Sequence, residues 1–285
     1  MVYDTAIIGT GPAGLSAAIN LKLHNKEILW LGAKNFSSKV AKSEKIANYP
    51  GMGLIAGEDL IAKFEAHREE MGLEITEQMV TAIMPTDDYF MMSAGSDVYM
   101  AKTILLATGV AAGKGFDGEA EYLGRGISYC ATCDGFLYKG KTIAVFCGDP
   151  RFEHEVEYLA ELADKVYLAT SYREIGVSRD NVELLPLPIK KVTGGLKANC
   201  IELTDGTTVE IDGLFCLRNS IAPSTLLQGL ELDGVHIVVD REMKTNIPGC
   251  FAAGDCTGRP YQIAKSVGEG NIAAHSIVEF LAHKQ

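Results

Sequence analysis

Short apolar runs, each closed by a turn and followed by a stretch of helical period, recur along the chain. Residues 3–8 (Tyr-Asp-Thr-Ala-Ile-Ile) predict a buried strand, Gly9-Thr10-Gly11-Pro12-Ala13-Gly14 a turn, residues 15–21 a helix and residues 27–31 a second strand. The pattern returns at residues 142–146, Cys147-Gly148-Asp149-Pro150, residues 152–162 and residues 165–169. Each set reads as the opening of a βαβ unit. Parallel strands covered on both faces show continuous apolar runs instead of alternation, as these do.

Two such openings predict an α/β chain of two Rossmann-like, three-layer domains. Residues 103–107 form another buried strand running into Thr108-Gly109, and the glycine-rich stretch 110–118 reads as a crossing between domains. A Pro248-Gly249 break precedes Phe251-Ala252-Ala253-Gly254-Asp255 and an alanine-rich helix over about 262–281. The expected organisation is a discontinuous first domain, residues 1–112 and 244–285, with a second, residues 113–243, inserted in it.

Charge narrows the partners. Thirty-seven acids against 26 bases leave a net −11, which repels phosphate backbones and anionic headgroups, so neither nucleic acid nor a membrane surface is expected as a partner. No apolar run reaches the roughly 18 residues of a membrane span. The first residues lead into a strand without a basic n-region or cleavage site, so no signal peptide is expected and the cytoplasm is the default location. Of seven cysteines, Cys147, Cys200, Cys216, Cys250 and Cys256 are scattered, which is no disulfide framework. The six histidines show no catalytic grouping, and Trp30, in an apolar run, reads as core.

The first turn carries the residues of a dinucleotide site. Gly9 suits the tight turn, Gly11 lets backbone approach a pyrophosphate, and Gly14 allows close packing of helix on strand. Pro12 and Ala13 open the helix, whose N-terminal N–H groups face an anion. A glycine turn without a ligand is the bland alternative. The acid that often holds the ribose after the second strand is absent; Gly32 follows Leu31. The second copy has Cys147, Asp149 and Phe152 at the three glycine positions. A carboxylate there repels a pyrophosphate, and a phenyl ring fills the space that close approach requires. Arg173 beside Glu174 is a poor match for a 2′-phosphate. The βαβ pattern is kept and the phosphate cradle is not.

Cys130-Ala131-Thr132-Cys133-Asp134-Gly135 is the sharpest motif. Two thiols separated by two residues can close a small ring, and exchange needs one thiol to attack and one to resolve. Asp134 adjoins them as a candidate proton carrier, and a helix starting here would lower a cysteine pKa. Half a zinc site is one alternative, but no second ligand pair stands at metal spacing, Cys147 and His154 being the nearest candidates, so no metal is expected. Plain buried cysteines are the other.

With these residues in view, the chain resembles the low-molecular-weight flavoprotein thioredoxin reductases. The resemblance rests on Gly-Thr-Gly-Pro-Ala-Gly, Asn48-Tyr49-Pro50-Gly51, Ala107-Thr108-Gly109, Cys-Ala-Thr-Cys-Asp-Gly and Phe-Ala-Ala-Gly-Asp, in that order from about residue 3 to 283. It implies domains of the FAD/NAD(P)-binding type, with FAD at Gly9, Gly11, Pro12, Ala13 and Gly14. Asn48, Ala107, Thr108, Gly109, Gly254, Asp255, Gln262 and Ile263 match flavin-binding positions. Lys39 stands where many members have glutamine. By the same resemblance Cys133 is the thiol beside the flavin, Cys130 the one that attacks thioredoxin and Asp134 the acid. Ordinary members carry glycines or alanine at the positions of Cys147, Asp149 and Phe152, and a His-Arg-Arg run at Thr170-Ser171-Tyr172. Their loss makes the chain most similar to the ferredoxin-dependent flavin thioredoxin reductases, which have no usable NADPH site.

The resulting expectation is a homodimeric enzyme that takes electrons from ferredoxin through FAD to Cys130–Cys133 and on to thioredoxin. Flavin can bridge one-electron and two-electron partners, a property of the cofactor. Domain rotation about residues 113–118 and Pro248-Gly249 would let the dithiol serve both flavin and thioredoxin. Lys34, Lys39, Lys42 and Lys45 are a candidate docking patch for an acidic ferredoxin, against the plain reading of a solvated loop. Three other readings stay open: an NADPH-dependent reductase with a divergent nucleotide site, a flavin-dependent dithiol oxidase, and a flavin-binding protein without enzymatic activity.

Overall fold

The computed structural model describes residues 1–34, 36–110, 115–218 and 221–283; the side chains of Ser38, Ala120 and Cys133 lie outside that description. The chain forms two compact units, Met1–Ala111 with Ala222–Gln285, and Ala112–Ile221.

In the first unit the strand Val2–Ile8 runs parallel to Ile28–Leu31 on one side and Asp97–Leu106 on the other. Ile7 lies opposite both Trp30 and Leu105. The last residues of Asp97–Leu106 also pair in parallel with Cys250–Ala252, while its first half pairs with the antiparallel strands Phe90–Ala94 and Val80–Pro85 beyond. Ala6, Ile7, Ile104, Leu105 and Leu106 are fully buried, as apolar runs in a sheet covered on both faces require. Helix Pro12–Leu23 packs along the long helix Ile263–His283. Small residues make that approach possible: Ala17, Ala18, Ala273 and Ala274 are fully buried, and a Cβ on Gly270 would collide with the Ala13 carbonyl. Trp30 is core as expected, and its Nε1 donates to the Gly9 carbonyl at 2.9 Å.

The second unit holds five parallel strands in the order Ile127–Ser128, Gly213–Leu217, Thr142–Cys147, Lys165–Thr170, Val182–Leu184. A separate antiparallel sheet follows, Ile189–Gly194, Ala198–Leu203 and Thr208–Glu210. Helix Glu153–Leu162 buries Val156, Leu159 and Ala160 in the core of this unit and exposes Glu157 and Glu161.

Two expectations change. Residues 222–243 fall in the first unit, although the sequence pattern assigned them to the insert. Leu227 bridges to Ile83, His236 Nε2 lies 2.6 Å from the Tyr261 hydroxyl, and the Ala252 amide donates to Met243. Pro248-Gly249 therefore lies well inside the first unit, where Gly249 packs against Phe90 and Phe280 and accepts from the Ile104 amide. It is no hinge. Of the other expected hinge, residues 113 and 114 lie outside the described residues, and Gly118 is wedged against the Val192 carbonyl within the second unit. No described helix is long and apolar enough to cross a membrane.

Candidate functional site

The turn after the first strand is built for close approach. Gly9 takes φ +117°, and a Cβ there would strike the Ala107 carbonyl; a Cβ on Gly14 would strike the Gly9 carbonyl. Gly11 is different: among the described residues, its chain neighbours apart, no atom lies within 4 Å of where its Cβ would stand. It caps helix Pro12–Leu23, which has no side-chain cap and no acid in its first turn. The first N–H groups of such a helix lack intrahelical partners, and the helix end favours an anion.

The other expected flavin positions gather at this turn or join it by short bonds. Ala107, Thr108 and Gly109 leave the sheet beside Gly9, with Gly109 at φ +66°. Gly254, at φ +93°, sits against Ala13, and Asp255 follows it. Lys39 Nζ lies 3.0 Å from Asp255 Oδ2 and over the Tyr261 ring, and Asn48 Nδ2 donates to Gln262 Oε1 at 2.5 Å. Ile263 begins the long helix, whose Ser266 hydroxyl lies 3.4 Å from Asp255 Oδ1. Lys265 and Glu269 escaped the sequence reading. Lys265 Nζ donates to the carbonyls of Gly254 and Gly258 at 2.8 Å, Glu269 accepts from the Gly254 amide at 2.8 Å, and the two pair at 3.1 Å. Their i,i+4 spacing was the available signal.

In the second unit Cys130 is disulfide-bonded. The side chain of Cys133, its expected partner, lies outside the described residues; its backbone belongs to the one-turn helix Ala131–Asp134. Asp134 Oδ2 accepts from Ser128 Oγ at 2.6 Å, and that oxygen accepts from the Cys130 amide at 3.1 Å. The expected helix start is present. Immediately after the helix, Phe136 and Leu137 are 64% and 52% exposed, a bare apolar pair beside the redox residue. The preceding residue, Tyr129, is anchored instead: its buried hydroxyl donates to Glu119 at 2.6 Å, and Glu119 pairs with buried Arg218 at 3.1 Å.

The remaining cysteines are free. Burial pushes the thiols of Cys147 and Cys216 up, and those of Cys250 and Cys256 up to about 12. Such thiols are inert near neutrality. Among the described residues no group of three or more His, Cys, Asp or Glu is placed to hold a metal.

The second βαβ turn is filled by its own side chains. Asp149 accepts from the Arg151 amide and Nε, both at 3.0 Å, so a carboxylate caps the turn. The Tyr172 hydroxyl lies 2.9 Å from Glu153 and 3.3 Å from Cys147 Sγ, and Glu153 also accepts from the Gly176 amide. Of the four candidate docking lysines, Lys34 pairs with Glu77 and Lys39 with Asp255, while Lys42 and Lys45 are exposed.

Two nucleotide-type α/β units, one with a glycine cradle and one with a disulfide-bonded cysteine, define the class: the chain belongs to the pyridine nucleotide-disulphide oxidoreductase family, matched over residues 3–148 and 179–270. Within it the chain is thioredoxin reductase-like. It is 31% identical to a thioredoxin reductase of Listeria monocytogenes over 98% of this chain and 94% of that one. It is 42% identical to a crystal structure of a ferredoxin-flavin thioredoxin reductase from Clostridium acetobutylicum, with TM-score 0.91 over 100% and 99% of the two chains. A thioredoxin reductase from Gloeobacter violaceus superposes with TM-score 0.78 at 27% identity, over 99% of this chain and 95% of that one. The family implies FAD, and the residues present fit it: open space over Gly11 at an uncapped helix end is what a pyrophosphate needs.

Proposed function

We propose that the protein is a ferredoxin-dependent thioredoxin-disulfide reductase that carries FAD in the first unit and uses no pyridine nucleotide. The observation that carries the choice of donor is the second βαβ turn. Asp149, Arg151, Glu153 and Tyr172 bond to one another and to local backbone where a nucleotide phosphate would need bare N–H groups. A phosphate entering there would meet two carboxylates.

The backbone around Gly9, Gly11 and Gly14 and the N-terminus of helix Pro12–Leu23 would hold the pyrophosphate, with Asp255, Lys39, Asn48 and Gln262 around the rest of the cofactor. When bound, FAD supplies exchange of electrons singly or in pairs. Two electrons and two protons open the Cys130–Cys133 disulfide to a dithiol. Cys130, as thiolate, attacks one sulfur of the thioredoxin disulfide and forms a mixed disulfide, expelling the other sulfur as a thiolate that takes up a proton. Cys133, losing its proton, then attacks Cys130 Sγ; reduced thioredoxin leaves and the Cys130–Cys133 disulfide re-forms. Asp134, held by Ser128, is the nearest carboxylate on the dithiol helix to carry these protons. Phe136 and Leu137 give a protein substrate an apolar surface beside Cys130. The dithiol serves the cofactor and then a protein, so the two units change orientation between half-reactions.

The order of attack is tested by trapping. Cys133→Ser enzyme, reduced and mixed with oxidised thioredoxin, should give a stable adduct through Cys130 with the summed mass of the two proteins. An adduct from Cys130→Ser and none from Cys133→Ser would reverse the roles of the two thiols.

A further inference from the structure

One buried carboxylate in the second unit has no part in the proposed reaction. Glu119 is 2% exposed, and three donors converge on it. The Phe116 amide reaches Oε2 at 2.8 Å, Arg218 Nη2 reaches the same oxygen at 3.1 Å, and the Tyr129 hydroxyl reaches Oε1 at 2.6 Å. Tyr129 and Arg218 are buried with it. The Arg218 guanidinium lies over the rings of Phe116 and Phe146, 5.1 and 4.9 Å from their centroids. A buried ion pair holds a structure together only where its hydrogen bonds are met, and here both carboxylate oxygens are engaged.

Sheet topology brings these groups together. Ile127–Ser128 runs parallel to Gly213–Leu217, with Ser128 opposite Phe215. Tyr129 and Arg218 therefore leave the same ends of neighbouring strands, and the residue after Tyr129 is Cys130. Burial, with the charge of Glu119, pushes the Tyr129 hydroxyl up, so it stays a donor. The backbone at Cys130 is thus held at two points: its own amide by Ser128 Oγ at 3.1 Å, and the residue before it by Glu119.

We propose that Glu119 is a positioning residue of the dithiol site: through Tyr129 it holds Cys130 in the geometry that the disulfide requires. The inference rests on the reading of Cys130–Cys133 as the redox-active pair. A disulfide resists external thiols in proportion to the effective concentration of its two cysteines, and an anchor on the chain beside one of them raises that concentration. The anchor is formed while Cys130 is disulfide-bonded. Opening the disulfide loosens it, so the Tyr129–Glu119 bond favours the disulfide over the dithiol. An anchor that served the fold alone would be equally strong in both forms and would leave their balance unmoved.

The test equilibrates the FAD-loaded enzyme anaerobically with thiol–disulfide buffers of glutathione or dithiothreitol, quenches with acid, alkylates with iodoacetamide and reads the peptide masses at Cys130 and Cys133. In the exchange, the thiols of the buffer give two electrons and two protons to the enzyme disulfide, leaving the enzyme dithiol and one buffer disulfide. Tyr129→Phe keeps the ring and removes the bond. Its equilibrium constant for reduction should rise about threefold, a part of the worth of a charge-assisted hydrogen bond. Ile201→Val trims a fully buried side chain in the antiparallel sheet of the same unit; it should lower the melting temperature and leave the equilibrium unchanged. The parent's equilibrium constant in Tyr129→Phe, or the same rise in Ile201→Val, would overturn the proposal and leave the redox pair standing. Peptide masses that join Cys130 of the oxidised parent to a cysteine other than Cys133 would overturn the redox pair, and the proposal with it.

Discussion

Gly11 separates what the fold needs from what the cofactor needs. Gly9 and Gly14 are demanded by protein atoms, since a Cβ at either would collide with a carbonyl; at Gly11 the space is open and the backbone is extended, with φ −77°. Gly11→Ala should therefore fold with an unchanged melting temperature as apoprotein, while its affinity for FAD falls about tenfold, roughly 1.4 kcal/mol. Flavin titration of the apoprotein measures it, and unchanged affinity would place the pyrophosphate elsewhere. At this scale the sequence was legible where chemistry sits in a local motif: Gly9, Gly14, Cys130 and Asp134 stand in short runs whose spacing states their purpose. Lys39, Asn48 and Gln262 came from resemblance, because their partners lie some 200 positions away, Lys39 to Asp255 and Asn48 to Gln262.

Among the elements, the second βαβ turn keeps the strand–turn–helix form with side chains bonded across it. Strand, turn and helix remain, Thr142–Cys147, Pro150–Phe152 and Glu153–Leu162, and Phe152 packs on the core of the unit. Asp149 now caps the turn that glycine would leave open to an anion. Asp149→Ala should destabilise the protein by about 1 kcal/mol, the usual worth of such a cap, lowering the melting temperature by about 2–4 °C. It should not create nucleotide affinity, because Glu153 and Tyr172 remain. Calorimetry with and without NADPH checks both halves, and tight NADPH binding by this variant would mean that Asp149 alone closes the site. The strands and helices of both openings were visible in the apolar pattern. The return crossing was not: residues 222–243 have little regular structure, and their place in the first unit depends on contacts such as Leu227 with Ile83 and His236 with Tyr261. The Pro248-Gly249 break looked like a boundary because a turn inside a domain and a turn between domains share the same residues.

For the molecule as a whole, the account divides labour between two units of similar topology. The first has the glycine cradle; the second has a turn bonded by its own side chains and carries the disulfide-bonded Cys130. A net charge of −11 repels an acidic donor at long range, so the proposed ferredoxin donor would need a locally basic surface. Of the lysines before Asn48, Lys42 and Lys45 are best placed for that, since Lys34 and Lys39 are paired with acids. Everything distinctive in this account turns on the donor. The most direct measurement is anaerobic visible absorbance of the FAD-loaded protein, mixed with excess NADPH or NADH in one cuvette and with reduced ferredoxin in another. The account predicts that the flavin band bleaches with ferredoxin and persists with both nucleotides. Rapid bleaching by NADPH would contradict it, and would mean that Asp149, Glu153 and Tyr172 leave a working nucleotide site.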